Sequence, residues 1–247
     1  MLTFVIPTFQ EEQAIGPMLR WIREKVTLPK EIIVADGNSK DKTVERAQGL
    51  ADTILIATGF APSPARQRNQ GGRTAHGEYI VFLDCDVSIP DPDAFFSFAI
   101  KEFEKDPQLV GITGPQRARP GCETWADRIN FGILNQSIRL KNNVFHIGEV
   151  SGKFMMCRKS AYDAVGGLRD DLITREDADF FWRLSKIGKT RYYGNLMIFH
   201  GARRAHRIGW WRLWYIWLVN TLWVTLFDKA LVKEWVPIRE YDNTCAL

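Results

Sequence analysis

Short apolar runs alternate with stretches of helical spacing through the first 86 residues. "LTFVIP" (residues 2–7) is continuous and β-branched and is stopped by Pro7, which predicts a buried strand. Residues 14–26 put Ile15, Met18, Leu19 and Ile22 on one face of a helix. "EIIVADG" predicts a second buried strand ended by Asp36-Gly37. In "SKDKTVERAQGL", Ser39 or Asp41 would cap a helix that ends near Gly49. "TILIA" is a third strand, residues 63–75 a basic helix, and "YIVFLD" a fourth strand. Strands apolar on both faces, alternating with helices, predict βαβ units: an α/β domain with a mostly parallel, Rossmann-like sheet flanked by helices.

Past Asp86 the regularity falls. Residues 92–105 read as a helix, "LVGIT" as a strand and residues 123–141 as an amphipathic helix. "GKFMMCRKSAYDAVGG" reads as strand, turn and short helix. "REDADFFWRLSKIG" is a helix with Phe180, Leu184 and Ile187 on one face and Gly188 at its end. "IGWWRLWYIWLVNTLWVTLF" (208–227) then carries Arg212 as its only charge.

A chain of 247 residues suits one large domain, with or without an appendage. Its 45% hydrophobic and 25% charged residues exclude a disordered chain, and a net charge of +4 does not point to nucleic acid. The distribution of charge says more, because Arg203, Arg204, His206, Arg207 and Arg212 cluster around the start of the Trp-rich stretch. Cys85, Cys122, Cys157 and Cys245 form no CxxC pair, which argues against a zinc site or a disulfide framework and suits a reducing compartment. The start, "MLTFVIPTFQEE", has no basic n-region, so a cytoplasmic location is expected.

Asp84-Cys85-Asp86 ends the fourth strand. Alternation would send Asp84 and Asp86 to one side and Cys85 to the other. Ligands of open α/β sheets bind beyond the carboxyl ends of the strands. Two carboxylates there repel unless a cation lies between them, and hard cations such as Mg²⁺ or Mn²⁺ favour carboxylates together with phosphate oxygens. The pair therefore suggests a divalent metal bridging protein to a diphosphate. Read singly, the same residues could be turn caps.

"FVIPTFQEEQAI", "EIIVADGNSKDKT", "ARQRNQGGRTAHGEYIVFLDCDV", "GKFMMCRKSAYDAVGGLRDD" and "REDADFFWRL" resemble, in order, the blocks of family 2 glycosyltransferases. The resemblance covers roughly residues 3–200 and implies a GT-A fold. It implies that Pro7, Thr8, Glu11 and Asp36 hold the base and ribose of a nucleoside diphosphate sugar, and that Ser39, which matches the serine of the family's DGSxD-like block, belongs to the same donor site. Arg66 matches the family's basic position, with Arg68 a near neighbour. Asp84 would face ribose and sugar, Asp86 would be the principal metal ligand, and His200 is a candidate third ligand. Gly152 would let backbone approach the sugar or acceptor. Glu176-Asp177 matches an acidic pair whose aspartate is the usual catalytic base. Arg203 and Arg204 would neutralise the leaving diphosphate or meet lipid headgroups. Asp177 would deprotonate an acceptor hydroxyl as it attacks the anomeric carbon, with inversion.

The resulting expectation is a GT-A catalytic domain over 1–200, with a nucleotide-binding half (1–86) and an acceptor half (87–200). Residues 201–247 form a basic, Trp-rich region that associates with the cytosolic face of a membrane. Residues 208–227 are just long enough to span, but five tryptophans and Arg212 suit the headgroup interface better; packing on the catalytic domain is the other option. The acceptor is a sugar or a lipid-linked molecule, including a polyprenyl phosphate. A sugar nucleotidyltransferase would want a Gly-rich basic loop where this chain has "PTFQEE". A non-catalytic nucleotide- or membrane-binding module would have no use for Asp84, Asp86 and Asp177 together.

Overall fold

A computed structural model describes residues 1–58 and 62–231. The four N-terminal apolar runs form β1 (Leu2–Thr8), β2 (Lys30–Asp36), β3 (Thr53–Ile56) and β4 (Tyr79–Leu83), joined by α1 (Glu12–Lys25), α2 (Thr43–Ala47) and α3 (Pro64–Thr74). Next come α4 (Pro92–Lys105), β5 (Leu109–Thr113), β6 (Gln116–Ala118), α5 (Trp125–Asn143), β7 (Phe154–Arg158), α6 (Lys159–Ala164) and α7 (Glu176–Ile187). The last elements are β8 (Lys189–Tyr192), β9 (Ile198–His200), α8 (Arg203–Ile208) and α9 (Trp210–Phe227).

A seven-stranded sheet runs β3-β2-β1-β4-β7-β5-β8, and β6 and β9 form a separate parallel pair. All pairings in the large sheet are parallel except those of β7, which runs antiparallel to both β4 and β5. The sheet is mostly parallel, as the alternating pattern predicts.

Both faces of the sheet are covered, which is why its strands read as unbroken apolar runs. On one face Phe4, Ile6, Val34 and Val81 pack with α1 and α4 side chains such as Leu19 and Phe96. On the other, Val5, Ile33, Ile80 and Phe82 pack with Tyr162 of α6 and Phe180, Phe181 and Leu184 of α7. The α3 helix lies close on β1 because residue 71 is glycine: a Cβ there would come within 2.3 Å of Val5 Cγ1.

Three local expectations change. Pro7 does not stop β1, which pairs with β2 through Thr8. The β4 pairing of β1 ends at Val5, so Pro7 sits where one flank of the strand is open and a missing N–H is tolerated. Neither Ser39 nor Asp41 is the N-cap of α2, which is Lys42, although Asp41 Oδ1 accepts the Thr43 N–H at 3.0 Å. Ile187 is half exposed at the last turn of α7, while Phe180 and Leu184 are buried.

The α9 helix has two unlike faces. Leu213 and Asn220 are buried against the domain. Trp210 Nε1 donates to Asp127 Oδ1 at 2.8 Å, Trp214 Nε1 to Asn130 Oδ1 at 2.6 Å, and Arg175 to Thr221 Oγ1 at 2.7 Å. The opposite stripe, Trp211, Tyr215, Leu218, Leu222 and Leu226, is exposed, with Trp211 at 82%. Among the described residues no helix is long and apolar enough to cross a membrane. Of the basic, Trp-rich region expected over 201–247, residues 232–247 lie outside the described residues. Among the described cysteines, Cys85 and Cys157 are buried thiols.

Candidate active site

The carboxyl ends of β1, β2 and β4 converge, and the loops that leave them carry most of the polar residues singled out from the sequence. Asp36, fully buried at the end of β2, clasps two loops. Its Oδ2 accepts the hydroxyls of Thr8 at 2.9 Å and Ser39 at 2.6 Å, and its Oδ1 accepts the Ser39 N–H at 2.7 Å. Ser39 Oγ in turn accepts the Gln10 N–H at 2.7 Å, and Thr43 Oγ1 accepts that of Glu11 at 2.8 Å. Thr8, Asp36 and Ser39 are thus one hydrogen-bonded cluster just beyond Pro7, with Glu11 held beside it through Thr43. A carboxylate has about four acceptor directions, and three of those on Asp36 are taken by Thr8 and Ser39.

Asp84 and Asp86 lie beyond the end of β4, in a turn closed by the Val87 N–H on the Asp84 carbonyl at 3.1 Å. Turn geometry, not strand alternation, brings the two carboxylates to one cation. Lys153 Nζ stands 3.1 Å from Asp84 Oδ2 and 2.8 Å from Asp86 Oδ1. Cys85 does point the other way, into the apolar core. Asp86 is only 3% exposed, and Arg203 of α8 reaches its Oδ2 at 3.0 Å and Glu11 at 3.6 Å. Arg119 donates to the Asp86 carbonyl at 2.6 Å. Burial alone would raise the Asp86 pKa, but Lys153 and Arg203 outweigh it and hold the carboxyl well below its usual range. Burial likewise opposes the charge on Lys153, and Asp86 and Asp84 overcome it.

Arg68 ties this pair to the start of α7. From its buried position in α3 it donates to Glu176 Oε1 at 3.0 Å, Asp84 Oδ1 at 3.0 Å and the Gly152 carbonyl at 2.9 Å. Gly152 makes this possible: a Cβ there would sit 3.0 Å from the Arg68 guanidinium and 3.1 Å from Asp177 Oδ2. Asp177 accepts the Ala178 N–H at 2.8 Å. The positive end of α7 favours ionised acids, yet burial prevails, joined by the Asp177 charge at Glu176 and the Glu149 charge at Asp177. Both carboxyls are raised above their ordinary values even with Arg68 beside them.

His200 ends β9 as a buried, neutral ring, because burial and the Lys153 charge push its pKa down to about 3. Its Nδ1 accepts the Ala202 N–H at 3.2 Å, which leaves the proton on Nε2, and Nε2 is buried with no hydrogen-bond partner among the described residues. Among the described residues no three or more His, Cys, Asp or Glu side chains gather as a metal cage. What the donor set offers is two carboxylates bracketing one cation, a fit for Mg²⁺ or Mn²⁺ completed by ligand oxygens and water.

The structure therefore brings together Thr8, Glu11, Asp36 and Ser39 on one side, and Asp84, Asp86, Gly152, Glu176, Asp177 and Arg203 on the other. Arg66 lies half-buried on α3, two residues from Arg68 and on a different helix face, and Arg204 is half-buried in α8. Two central cations were not singled out from the sequence. Lys153 follows Gly152 in "SGKF", and only strand register brings it opposite Asp84. Arg119 lies in an unremarkable loop.

The chain belongs to glycosyl transferase family 2, whose model matches residues 3–166. It is similar to a poly-β-1,6-N-acetyl-D-glucosamine synthase of Staphylococcus aureus, 29% identical over 193 residues. That match covers 76% of this chain and 46% of the synthase, so the chain spans about half the length of this relative. In structure it resembles mannosyltransferase PcManGT from Pyrobaculum calidifontis, solved with GDP-Man and Mn²⁺, with a TM-score of 0.71. Identity there is 18%, over 93% of this chain and 64% of that one. S. aureus TarS 1–349, solved with UDP-GlcNAc, aligns at TM-score 0.59 and 16% identity over 78% of this chain and 56% of that one. The fold is that of the GT-A glycosyltransferases, as the motif blocks imply.

Proposed function

We propose that this chain transfers a sugar from a nucleoside diphosphate sugar to an acceptor at or near a membrane surface, with inversion at the anomeric carbon. The observation that carries the reading is Arg68, which links Asp84 on the donor side to Glu176 on the acceptor side, with Asp177 next to Glu176 and close to Gly152. Residues 1–86 supply the nucleotide-binding half, residues 87–200 the acceptor half, and residues 201–247 the membrane-associating region.

The Thr8–Asp36–Ser39 cluster binds base and ribose. Asp84 and Asp86 are the residues that would hold a divalent cation, Mg²⁺ or Mn²⁺, and when bound it would stabilise charge on the leaving diphosphate. Arg203 and Arg204, at the start of α8, add fixed positive charge on the same side. Asp177 takes the proton of the acceptor hydroxyl, and its raised pKa suits a base. Arg68 opposes the rise in both carboxyls and holds Glu176 in place beside Asp177. The apolar outer stripe of α9 favours a lipid-linked acceptor and a peripheral position at the cytosolic face of a membrane. A polyprenyl phosphate acceptor, already anionic, would need Asp177 less as a base.

The test is a panel of UDP- and GDP-sugars with and without Mn²⁺, read by thermal stabilisation and then by transfer. A donor that binds the native state raises the melting temperature. Stabilisation by one donor, with turnover lost in Asp177→Asn, supports the reading. A protein that no nucleotide sugar stabilises is not a transferase of this kind.

A further inference from the structure

The carboxylates read as the metal ligands already hold a cation that belongs to the chain. Lys153 Nζ lies 3.1 Å from one and 2.8 Å from the other. Nothing about this contact is incidental to a mobile surface chain. The Lys153 side chain is 26% exposed, and its backbone is pinned just before the start of β7, where its carbonyl accepts the Asp84 N–H at 3.3 Å. The β4–β7 register, which ends on Leu83 opposite Phe154, sets Lys153 across from Asp84. The ammonium therefore fills the notch between the two acids, and Arg203 closes the far side of Asp86.

Mg²⁺ binds carboxylate oxygens at about 2.0–2.1 Å and needs an open coordination sphere. A divalent ion and an ammonium cannot share the notch, because like charges a few ångströms apart in a part-buried site repel strongly. We propose that Lys153 is an internal competitor of the divalent cation: it occupies the ion's position between Asp84 and Asp86, and the ion binds only by displacing it. The chain then has a high threshold for metal on its own. The threshold falls when an anionic ligand such as a diphosphate arrives to take up the displaced ammonium. This inference rests on the reading of Asp84 and Asp86 as the metal site.

The test is Mn²⁺ binding to the purified protein without nucleotide, followed by the loss of the free-ion electron paramagnetic resonance signal. Lys153→Met should bind Mn²⁺ at least about 10-fold more tightly than wild type, since it removes the competing charge. Lys153→Gln, neutral but differently shaped, should do the same, so a folding defect in one variant does not decide the outcome. Lys153→Arg keeps the charge and should stay near wild type. Adding Asp86→Asn to Lys153→Met should abolish the tight site. Equal or weaker Mn²⁺ binding in both neutral variants overturns the competition while leaving the metal site in place. If neither wild type nor the neutral variants bind Mn²⁺, the metal reading itself falls, and the competition with it.

Discussion

Lys153 stands opposite Asp84 across the end of the antiparallel β4–β7 pair, with its ammonium 3.1 Å from Asp84 Oδ2. Among the described residues, the one antiparallel strand of the large sheet is therefore the one that delivers a cation to the acidic turn. Arg68 repeats the arrangement one step deeper, between Asp84 and Glu176. The cleft is a layered set of acids and bases, and each layer makes a separate prediction.

Asp86→Asn should reduce transfer by about 100-fold or more, because it removes both a ligand charge and the anchor of two cations. The residue is nearly fully buried, so the change also costs stability, about 1–3 kcal/mol, by leaving Lys153 and Arg203 without their shared partner. Denaturation in parallel with a transfer assay separates the two effects. A fully active variant would remove Asp86 from the site.

Arg68→Lys keeps the charge but cannot reach Asp84, Glu176 and the Gly152 carbonyl at once. Its kcat should fall about 100-fold, with a smaller change in donor affinity, since the planar fork is what positions the acidic pair. Arg68→Met should destabilise by about 3–5 kcal/mol, because it strands buried carboxylates. Urea denaturation of both variants checks the order.

Asp177→Asn should abolish transfer to a hydroxyl acceptor and leave nucleotide binding near wild type, since the loss lies in the chemical step. Nucleotide titration beside a transfer assay gives the split. Unchanged kcat would leave Asp177 with only its contact to the Ala178 N–H.

The acidic pair also sets a pH dependence of stability. Burial raises the Glu176 and Asp177 pKa values, with the Asp177 charge adding to it at Glu176 and the Glu149 charge at Asp177, so the folded state holds a proton where the unfolded chain has released it. The folded form then gains most at acid pH, and that gain is lost as pH rises above the ordinary carboxylate range. Between about pH 5 and about pH 8 the wild type should lose stability on the order of 1–3 kcal/mol, and Glu176→Gln should flatten this slope. Denaturant midpoints across that range are the measurement.

The exposed stripe of α9 carries the membrane prediction. Replacing Trp211, Leu218, Leu222 and Leu226 with Gln should abolish co-sedimentation with anionic vesicles, while circular dichroism and melting temperature hold. Deleting the whole helix is a poorer test, because its other face supplies partners to Asp127, Asn130 and Thr174. Vesicle binding that survives the four substitutions would put the docking surface elsewhere.

Much of the architecture was legible in the chain. The strands β1 to β4 announce themselves because both their faces are buried, so no polar residue breaks the run. The β8 strand reads "KTRY" and takes its place only by pairing with β5, a tertiary effect that no local pattern carries. β6 and β9 are three residues each, too short for periodicity to register. Asp84, Asp86 and the Glu176-Asp177 pair stood out as motifs. That Arg68, not Arg66, faces the cleft depends on the rotational phase of α3 against β1, which Gly71 helps to set. Lys153 was invisible because its role depends on the antiparallel register of two distant strands.

That distance has a consequence for synthesis. Lys153 lies 67 positions after Asp86, Arg203 lies 117 after it, and Glu176 lies 108 after Arg68. A nascent chain that has just finished β4 carries a strand of five apolar residues whose β7 neighbour has not been made, ending in two acids whose counter-cations are still to come. Until β7 arrives, that open edge is a template for pairing with another chain, and the acidic turn beside it supplies charge that opposes such pairing. The same two aspartates that bracket Lys153 in the finished protein would act earlier as gatekeepers on the ribosome.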